Sequence, residues 1–131
     1  MPEIMTRILI ADDHEVVRRG IRQSLQGHSG VEVVGEASNG EEAIQRALEL
    51  QPDMIIMDIS MPMLDGFKAA EIIKKYRPQT SIVVFSMYSY DGLSDSVKKL
   101  GLDGFVSKGD NATALLNTID AVQHNKKYFH N

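Results

Sequence analysis

The sequence predicts an α/β domain, a single doubly wound parallel sheet of five βα units with strand order 2-1-3-4-5. Three observations predict it. Short apolar runs rich in β-branched residues alternate with segments of helical period, five of each, which marks βαβ units rather than a sandwich or a bundle. Two of the runs, MIIM at 54–57 and SIVVF at 81–85, lack polar alternation, as expected of central parallel strands covered on both faces. Four runs end on residues able to handle phosphate or a metal: Asp12 and Asp13 after MTRILIA, Asp58 after DMIIM, Ser86 after SIVVF and Lys108 after GFVS. In an open parallel sheet ligands bind outside the carboxyl ends of the strands, so these side chains should share one crevice. Right-handed crossovers leave few topologies for five units. The favoured order puts the switch point between strands one and three, where Asp12, Asp13 and Asp58 would face one another.

The elements follow in order. Arg7 to Ala11 reads as the first strand, and a helix from about His14 to Gln26 follows, with Val17, Ile21 and Leu25 at four-residue spacing. Gly27 and Gly30 break it, and Val31 to Glu36 makes a second strand. Asn39 and Gly40 open a helix whose buried stripe is read as Ile44, Ala47 and Leu48, and Pro52 closes that connection. After the strand Met54 to Met57, the loop SMPMLDG leads into a third helix with Ala69, Ile72, Ile73 and Tyr76 on its apolar face and Pro78 just past its end. Ser81 to Phe85 is the fourth strand. A shorter helix then carries Leu93, Val97 and Leu100 and stops at Gly101, read as a left-handed cap. Phe105 to Ser107 is the fifth strand, and the last helix is capped by Asn111 and buries Leu115, Leu116, Ile119 and Val122. No internal repeat, low-complexity tract or interdomain linker is visible.

Composition bounds the function. A chain of 131 residues fits one domain. With 43% hydrophobic and 24% charged residues it has the makeup of a soluble globular protein. A formal charge of -4 argues against a grip on nucleic acid by this chain itself. The absence of cysteine excludes a disulfide framework and a thiolate metal site. The N-terminal apolar stretch is too short for a signal peptide, and no run of about 18 apolar residues could span a bilayer. A cytoplasmic protein without membrane attachment is the expectation.

The chemistry of the crevice can be argued from charge alone. Carboxylates about 4 Å apart repel by about 4 kcal/mol per pair at an effective dielectric near 20, so three of them together call for a cation or a proton. Oxygen donors in an incomplete shell suit a hard ion that keeps some water, which is the habit of Mg²⁺. Lys108 adds a positive charge and Ser86 a hydroxyl, both suited to an incoming phosphoryl group. Aspartate is a nucleophile in acyl-phosphate formation, and such transfer depends chiefly on positioning and charge neutralisation. An aspartate at a strand end is also a common helix cap, so no one of these residues carries the reading singly.

Taken together the residues resemble one family over nearly the whole chain: the receiver domain of bacterial two-component response regulators, which has the flavodoxin-like (βα)5 fold. The family's acidic pair corresponds to Asp12 and Asp13, and its phosphoacceptor and following turn to D-I-S-M-P-M-L-D-G, giving Asp58, Met61, Pro62, Asp65 and Gly66. Its hydroxyl residue corresponds to Ser86, its lysine to Lys108 and its switch aromatic to Phe105. The segments ADDHEVVRRG and KGDNATALLNTIDAVQHNKKYF are similar to the NarL/FixJ subfamily, whose members usually append a LuxR-type helix-turn-helix domain. The resemblance implies a receiver domain over residues 6–126, with 127–131 as a tail or the start of a linker to an absent output domain. It implies Mg²⁺, with Mn²⁺ as a substitute, held by Asp13, Asp58 and the backbone carbonyl of Ser60, with Asp12 acting through bound water. It further implies a phosphohistidine donor on a histidine kinase or phosphotransfer protein, no turnover of an external substrate, and a homodimer as a state open to the phosphorylated form. Any contact with DNA would come through an output domain.

Departures from the common pattern carry expectations of their own. Gly109 stands where most receivers have a proline after the lysine, so no cis peptide is expected there. The two positions that tune loss of the phosphoryl group in this family are Ser60 and Tyr88. Ser60 cannot act as a strong base, and Tyr88 could shield the acyl phosphate. Asp65 and Gly66 are read as turn and helix-start residues. His14, His28, His124 and His130 lack ligand spacing and are assigned no site, with at most a weak tuning of the acidic pair by His14. Met54, Met57, Met61 and Met63 are read as packing and loop residues, and Lys126 and Lys127 as solvated charge. Three rivals are weighed. A dehalogenase-type phosphatase wants an acid where Ser60 stands, a flavin carrier wants a glycine- and hydroxyl-rich loop where ADDHE stands, and a pseudo-receiver would bind partners without taking phosphate.

Overall fold

The computed structural model describes residues 5–61, 64–109, 112–124 and 128–129. Among these residues eleven elements succeed one another: β1 (Thr6–Ala11), α1 (Glu15–Leu25), β2 (Val31–Ala37), α2 (Gly40–Leu50), β3 (Met54–Met57), α3 (Gly66–Tyr76), β4 (Ser81–Ser86), α4 (Tyr90–Lys99), β5 (Gly104–Ser107), α5 (Ala112–Gln123) and β6 (Tyr128–Phe129). The sheet runs β2-β1-β3-β4-β5-β6, with every neighbouring pair parallel. The expected order 2-1-3-4-5 is present, and a two-residue sixth strand extends it. Its pairing, Gly104 with Tyr128 and Phe105 with Phe129, falls in the segment read from sequence as tail or linker. Two residues are too short for a period to show, and it is the Phe129 ring, stacked on Tyr90 with centroids 5.2 Å apart, that anchors them.

Alternation along the central strands divides the core in two, because successive side chains point to opposite faces. Leu9, Ala11, Ile55, Met57, Ile82, Val84 and Phe105 pack with Ala43 and Ala47 of α2, Ala69, Ala70 and Ile73 of α3 and Val97 of α4. Ile8, Ile10, Met54, Ile56, Val83 and Val106 pack on the other face with Ile21 and Leu25 of α1 and Leu115, Ile119 and Val122 of α5. Covering on both faces is why these strands are apolar throughout. The pairing of β1 with β2 shifts register between Ile8 and Leu9, so that Leu9 aligns with Gly35 rather than Val34.

Two residues assigned to buried stripes lie outside. Leu48 is 43% exposed, because Gly40, Ala43 and Ala47 form the face of α2 that meets its neighbours and Leu48 lies a further 100° round. Tyr76 is 63% exposed at the last turn of α3, past the rim of the sheet, with the Lys75 ammonium 5.9 Å from its ring centroid. Ile44, Leu93 and Leu100 are partly buried against one core face and Leu116 against the other.

The loops between strands and helices are held by caps. Asn39 Oδ1 accepts from Glu42 N–H at 2.8 Å, while Glu42 Oε1 accepts from Ser38 N–H at 3.0 Å, a reciprocal arrangement of the capping-box type. Asp65 caps α3 by accepting from Lys68 N–H at 2.9 Å. Gly101, with φ of 66°, closes α4 in the left-handed region as expected. No cis peptide occurs among the described residues, which include Lys108 and Gly109. Pro62, Met63, the Asn111 cap, Lys126, Lys127 and His130 lie outside the described residues.

Candidate functional site

Asp12 follows β1 directly and is tied to β2 by its N–H to Ala37 O at 3.0 Å. Asp58 follows β3 and is tied to β1 by its N–H to Ala11 O at 2.8 Å. Lys108 follows β5 and is tied to β4 by its N–H to Ser86 O at 2.7 Å. Each residue is therefore one step past its strand, held by the last rung of a parallel ladder, and the sheet edge delivers all of them to one crevice.

The crevice is a buried charge cluster. Lys108 Nζ lies 2.7 Å from Asp12 Oδ2 and 3.3 Å from Asp58 Oδ2. All three side chains are at least nine-tenths buried, so water screens these ion pairs far less than it would surface pairs. Ser60 N–H donates to Asp58 Oδ1 at 3.0 Å. Burial pushes the Asp58 carboxyl above its ordinary range and the neighbouring Asp12 charge pushes the same way, while the Ser60 N–H and the Lys108 ammonium pull back without cancelling the rise. An acid held in this way gains from any added positive charge.

The donor set fits a cation. Among the described residues Asp12 Oδ2, Asp13 Oδ1 and Asp58 Oδ2 are buried without a hydrogen-bond partner; the first and third face the lysine charge and the second the His14 ring. Ligand atoms from Asp12, Asp13, His14 and Asp58 all lie within 4.8 Å of one another. Three carboxylates against one ammonium leave net negative charge, which a divalent ion would offset.

Ser86 is fully buried, and its Oγ accepts from Tyr88 N–H at 2.9 Å, leaving its own O–H to donate. Tyr88 is 61% exposed at the rim. Phe105 is fully buried, with the Tyr90 ring edge-on at 5.4 Å between centroids and 66° between planes. Since Tyr90 also stacks on Phe129, the aromatic inferred to switch is already inside and joined to the first residue of α4 and to β6.

Gly66 shows why the turn after Asp58 needs its glycine. A Cβ there would lie 2.2 Å from Asp58 O and 2.5 Å from Ile59 Cα. The N-terminus of α3 packs directly on the backbone of the loop after Asp58, and Gly66 N–H donates to Ile59 O at 3.0 Å.

Two residues at the site were not singled out as parts of it from sequence. His14 Nδ1 lies 3.0 Å from Asp13 Oδ1 and 3.3 Å from Asp12 Oδ1, and its backbone N–H donates to Asp12 Oδ1 at 2.9 Å. Its place straight after the acidic pair was the available signal. Arg18, one turn into α1, donates from Nη1 to Asp12 O at 2.7 Å and from Nε to Glu36 Oε1 at 2.8 Å. Arg22 also pairs with Glu36. Burial acts to raise the Glu36 carboxyl, but the hydrogen bonds from Arg22 and Arg18 outweigh it and hold the group below the usual range. No spacing rule marks Arg18, because its partners come from two other segments. His28 is occupied elsewhere, with Nε2 2.9 Å from Asp120 Oδ1.

A buried aspartate at the switch point of a doubly wound sheet, flanked by further carboxylates and a lysine, defines a class of phosphoryl-accepting signalling domains. Residues 8–120 match the response regulator receiver domain family, and the chain belongs to that family. It is similar to the response regulator protein VraR of Staphylococcus saprophyticus, 36% identical over 123 residues that cover 94% of this chain and 59% of VraR. The chain thus spans about six-tenths of that relative's length. Among solved structures, a LuxR-family two-component response regulator from Aurantimonas sp. SI85-9A1 superposes with a TM-score of 0.89 at 28% identity, covering 95% of this chain and 89% of that one. The isolated receiver domain of RcsB from Salmonella enterica serovar Typhimurium, solved in the presence of the phosphomimetic BeF3-, also gives 0.89, at 33% identity and covering 96% and 94%. These relatives place the chain with LuxR/NarL/FixJ-type regulators. Among the described residues no helix is long and apolar enough to cross a membrane.

Proposed function

We propose that this chain is a phosphorylation-activated switch in two-component signalling, with Asp58 as the phosphoacceptor. The observation that carries the reading is the buried meeting of Asp58 with the Lys108 ammonium beside Asp12 and Asp13. An Asp58 carboxylate oxygen attacks the phosphorus of a phosphohistidine on a histidine kinase or phosphotransfer protein. The new O–P bond forms as the P–N bond breaks, and the electron pair leaves with the donor imidazole. Asp13, Asp58 and the backbone carbonyl of Ser60 are the residues to hold Mg²⁺ or Mn²⁺, with Asp12 acting through bound water. When bound, that ion neutralises charge on the phosphoryl oxygens. Lys108 exchanges its carboxylate partners for the phosphoryl group, and the free O–H of Ser86 turns to donate to it.

Drawing Ser86 inward moves the loop that leads to Tyr90, and Tyr90 rests on Phe105 and Phe129. The face made by α4, β5 and α5 is then the surface that partners read. A change from a 1:99 to a 99:1 mixture needs about 5.5 kcal/mol of preference for the active arrangement. The output is control of transcription through an appended or separate helix-turn-helix domain, with a homodimer as the phosphorylated assembly. The location that goes with a partner histidine kinase or phosphotransfer protein of this kind is the cytoplasm.

The test is intact-mass analysis after incubation with acetyl phosphate, with and without Mg²⁺, beside Asp58→Asn. One phosphoryl group that needs both Mg²⁺ and Asp58 is the expected result. Folded protein that takes up none would refute the reading and leave a phosphorylation-independent binding module. Tyr88→Ala should shorten the phosphorylated lifetime by about a few-fold by opening the acyl phosphate to water, whereas an unchanged or longer lifetime would show that the Tyr88 ring does not shield it.

A further inference from the structure

We propose that His14 is a ligand of this cation site and biases it toward Mn²⁺ over Mg²⁺. The proposal rests on the reading of Asp13 and Asp58 as the carboxylate ligands of the ion. Its geometric ground is the spacing of the donor atoms. Around a six-coordinate ion with bonds of about 2.1 Å, adjacent ligand atoms lie about 3.0 Å apart and opposite ones about 4.2 Å. His14 Nδ1 lies 3.0 Å from Asp13 Oδ1 and 3.3 Å from Asp12 Oδ1, and the whole set, Asp58 included, spans no more than 4.8 Å. The ring nitrogen therefore already stands at the distance of a neighbouring ligand, and only slight contraction is needed.

The backbone explains how it is held there. His14 occupies the N-cap of α1, where a polar side chain ordinarily turns back to serve the first helical N–H groups. Its side chain makes no such bond. Instead its N–H donates to Asp12 Oδ1 at 2.9 Å, which fixes the residue against the acidic pair and leaves the ring over the carboxylates. The ring is 65% exposed, whereas the other members of the site are buried or half-buried.

Chemistry then sets the preference. Mg²⁺ takes oxygen donors and keeps several waters, so a nitrogen adds little to its binding. Imidazole suits the later transition ions best, and Mn²⁺ shares the taste of Mg²⁺ for carboxylate and water, but as a first-row transition ion it gains more from one nitrogen donor than Mg²⁺ does. The competing role is a simple ion pair, in which a protonated imidazole neutralises the acidic pair and is expelled when an ion arrives.

Electron spin echo envelope modulation of the full chain loaded with Mn²⁺ separates the two. Nitrogen modulation from a directly bound imidazole is expected in the parent protein and absent in His14→Ala and in His14→Asn, the second of which keeps a polar N-cap. Titration calorimetry should show Mn²⁺ affinity falling about tenfold in both variants, the low end of what losing a group of a metal site costs, and Mg²⁺ affinity changing less than about threefold. Absence of nitrogen modulation in the parent, its persistence in the variants, or an equal change for both ions would each overturn the proposal. Asp13→Asn distinguishes the underlying reading. If it weakens both ions while the His14 variants leave the Mn²⁺ to Mg²⁺ ratio intact, the site stands and the role of His14 fails. If it weakens neither, the assignment of the cation site fails, and the proposal with it.

Discussion

Lys108→Ala is expected to destabilise the cation-free protein by about 3 kcal/mol at neutral pH, the low end of what breaking a buried ion pair costs. The ammonium pairs with Asp12 and Asp58 at 2.7 and 3.3 Å, and its removal leaves two buried carboxylates facing each other. The loss should depend on pH in a defined sense. Burial, helped by Asp12, already holds the Asp58 carboxyl above its ordinary range, and without Lys108 it rises further. A raised carboxyl costs stability when ionised, and that cost fades as the pH falls from the raised value toward that of the unfolded chain. The gap between variant and parent is therefore widest at neutral pH and narrows toward acid. Mg²⁺ should narrow it too, because an ion that binds only the folded state stabilises most where the uncompensated charge is greatest. Urea denaturation with EDTA and with Mg²⁺, at neutral and acidic pH, measures all three effects. A gap insensitive to both pH and cation would mean that Lys108 acts through packing, for instance against the Phe85 ring 5.9 Å away.

Gly66→Ala is expected to cost about 3 kcal/mol, the upper end of overpacking, and to lower Tm by on the order of 10 °C. The reason is steric and local. The new Cβ would fall 2.2 Å from Asp58 O and 2.5 Å from Ile59 Cα. Both are backbone atoms, so no rotamer change relieves the clash and α3 must move away from the loop after Asp58. Phosphoryl uptake should fall as well, since the loop carrying Asp58 moves with it. Gly20→Ala in the middle of α1 is the control. A Cβ there meets nothing within 4 Å, and it should gain about 1 kcal/mol from helix propensity. Thermal melts of the two variants beside the parent test the contrast, and a neutral Gly66→Ala would show that α3 can shift freely on the loop after Asp58.

Much of this domain is legible in its amino-acid sequence. The runs at 54–57 and 81–85 had to be central because they lack a polar face, and Asp12, Asp58 and Lys108 had to converge because parallel strands share one carboxyl edge. The errors share a cause. Leu48 and Tyr76 obey helical spacing, yet whether a flank of the stripe is covered depends on how far the neighbouring elements reach. β6 was invisible because two residues carry no period, and its support comes from Tyr90, far away in the chain.

By itself the sequence determined the fold class, the strand order and the identity of the charged residues in the crevice. Each of these depends on chain-local patterns: periodicity, the residue at a strand end, the turn chemistry of D-G. The tertiary structure alone decided which atoms meet. It turned Lys108 onto Asp12 and Asp58 together, brought the ring of His14 onto the acidic pair, anchored the Asp12 carbonyl on Arg18 and buried Phe105 beneath Tyr90. Those contacts join segments that have no spacing in common, and they are chosen by the packing of helices on the sheet and by the need to pair charge where water is excluded.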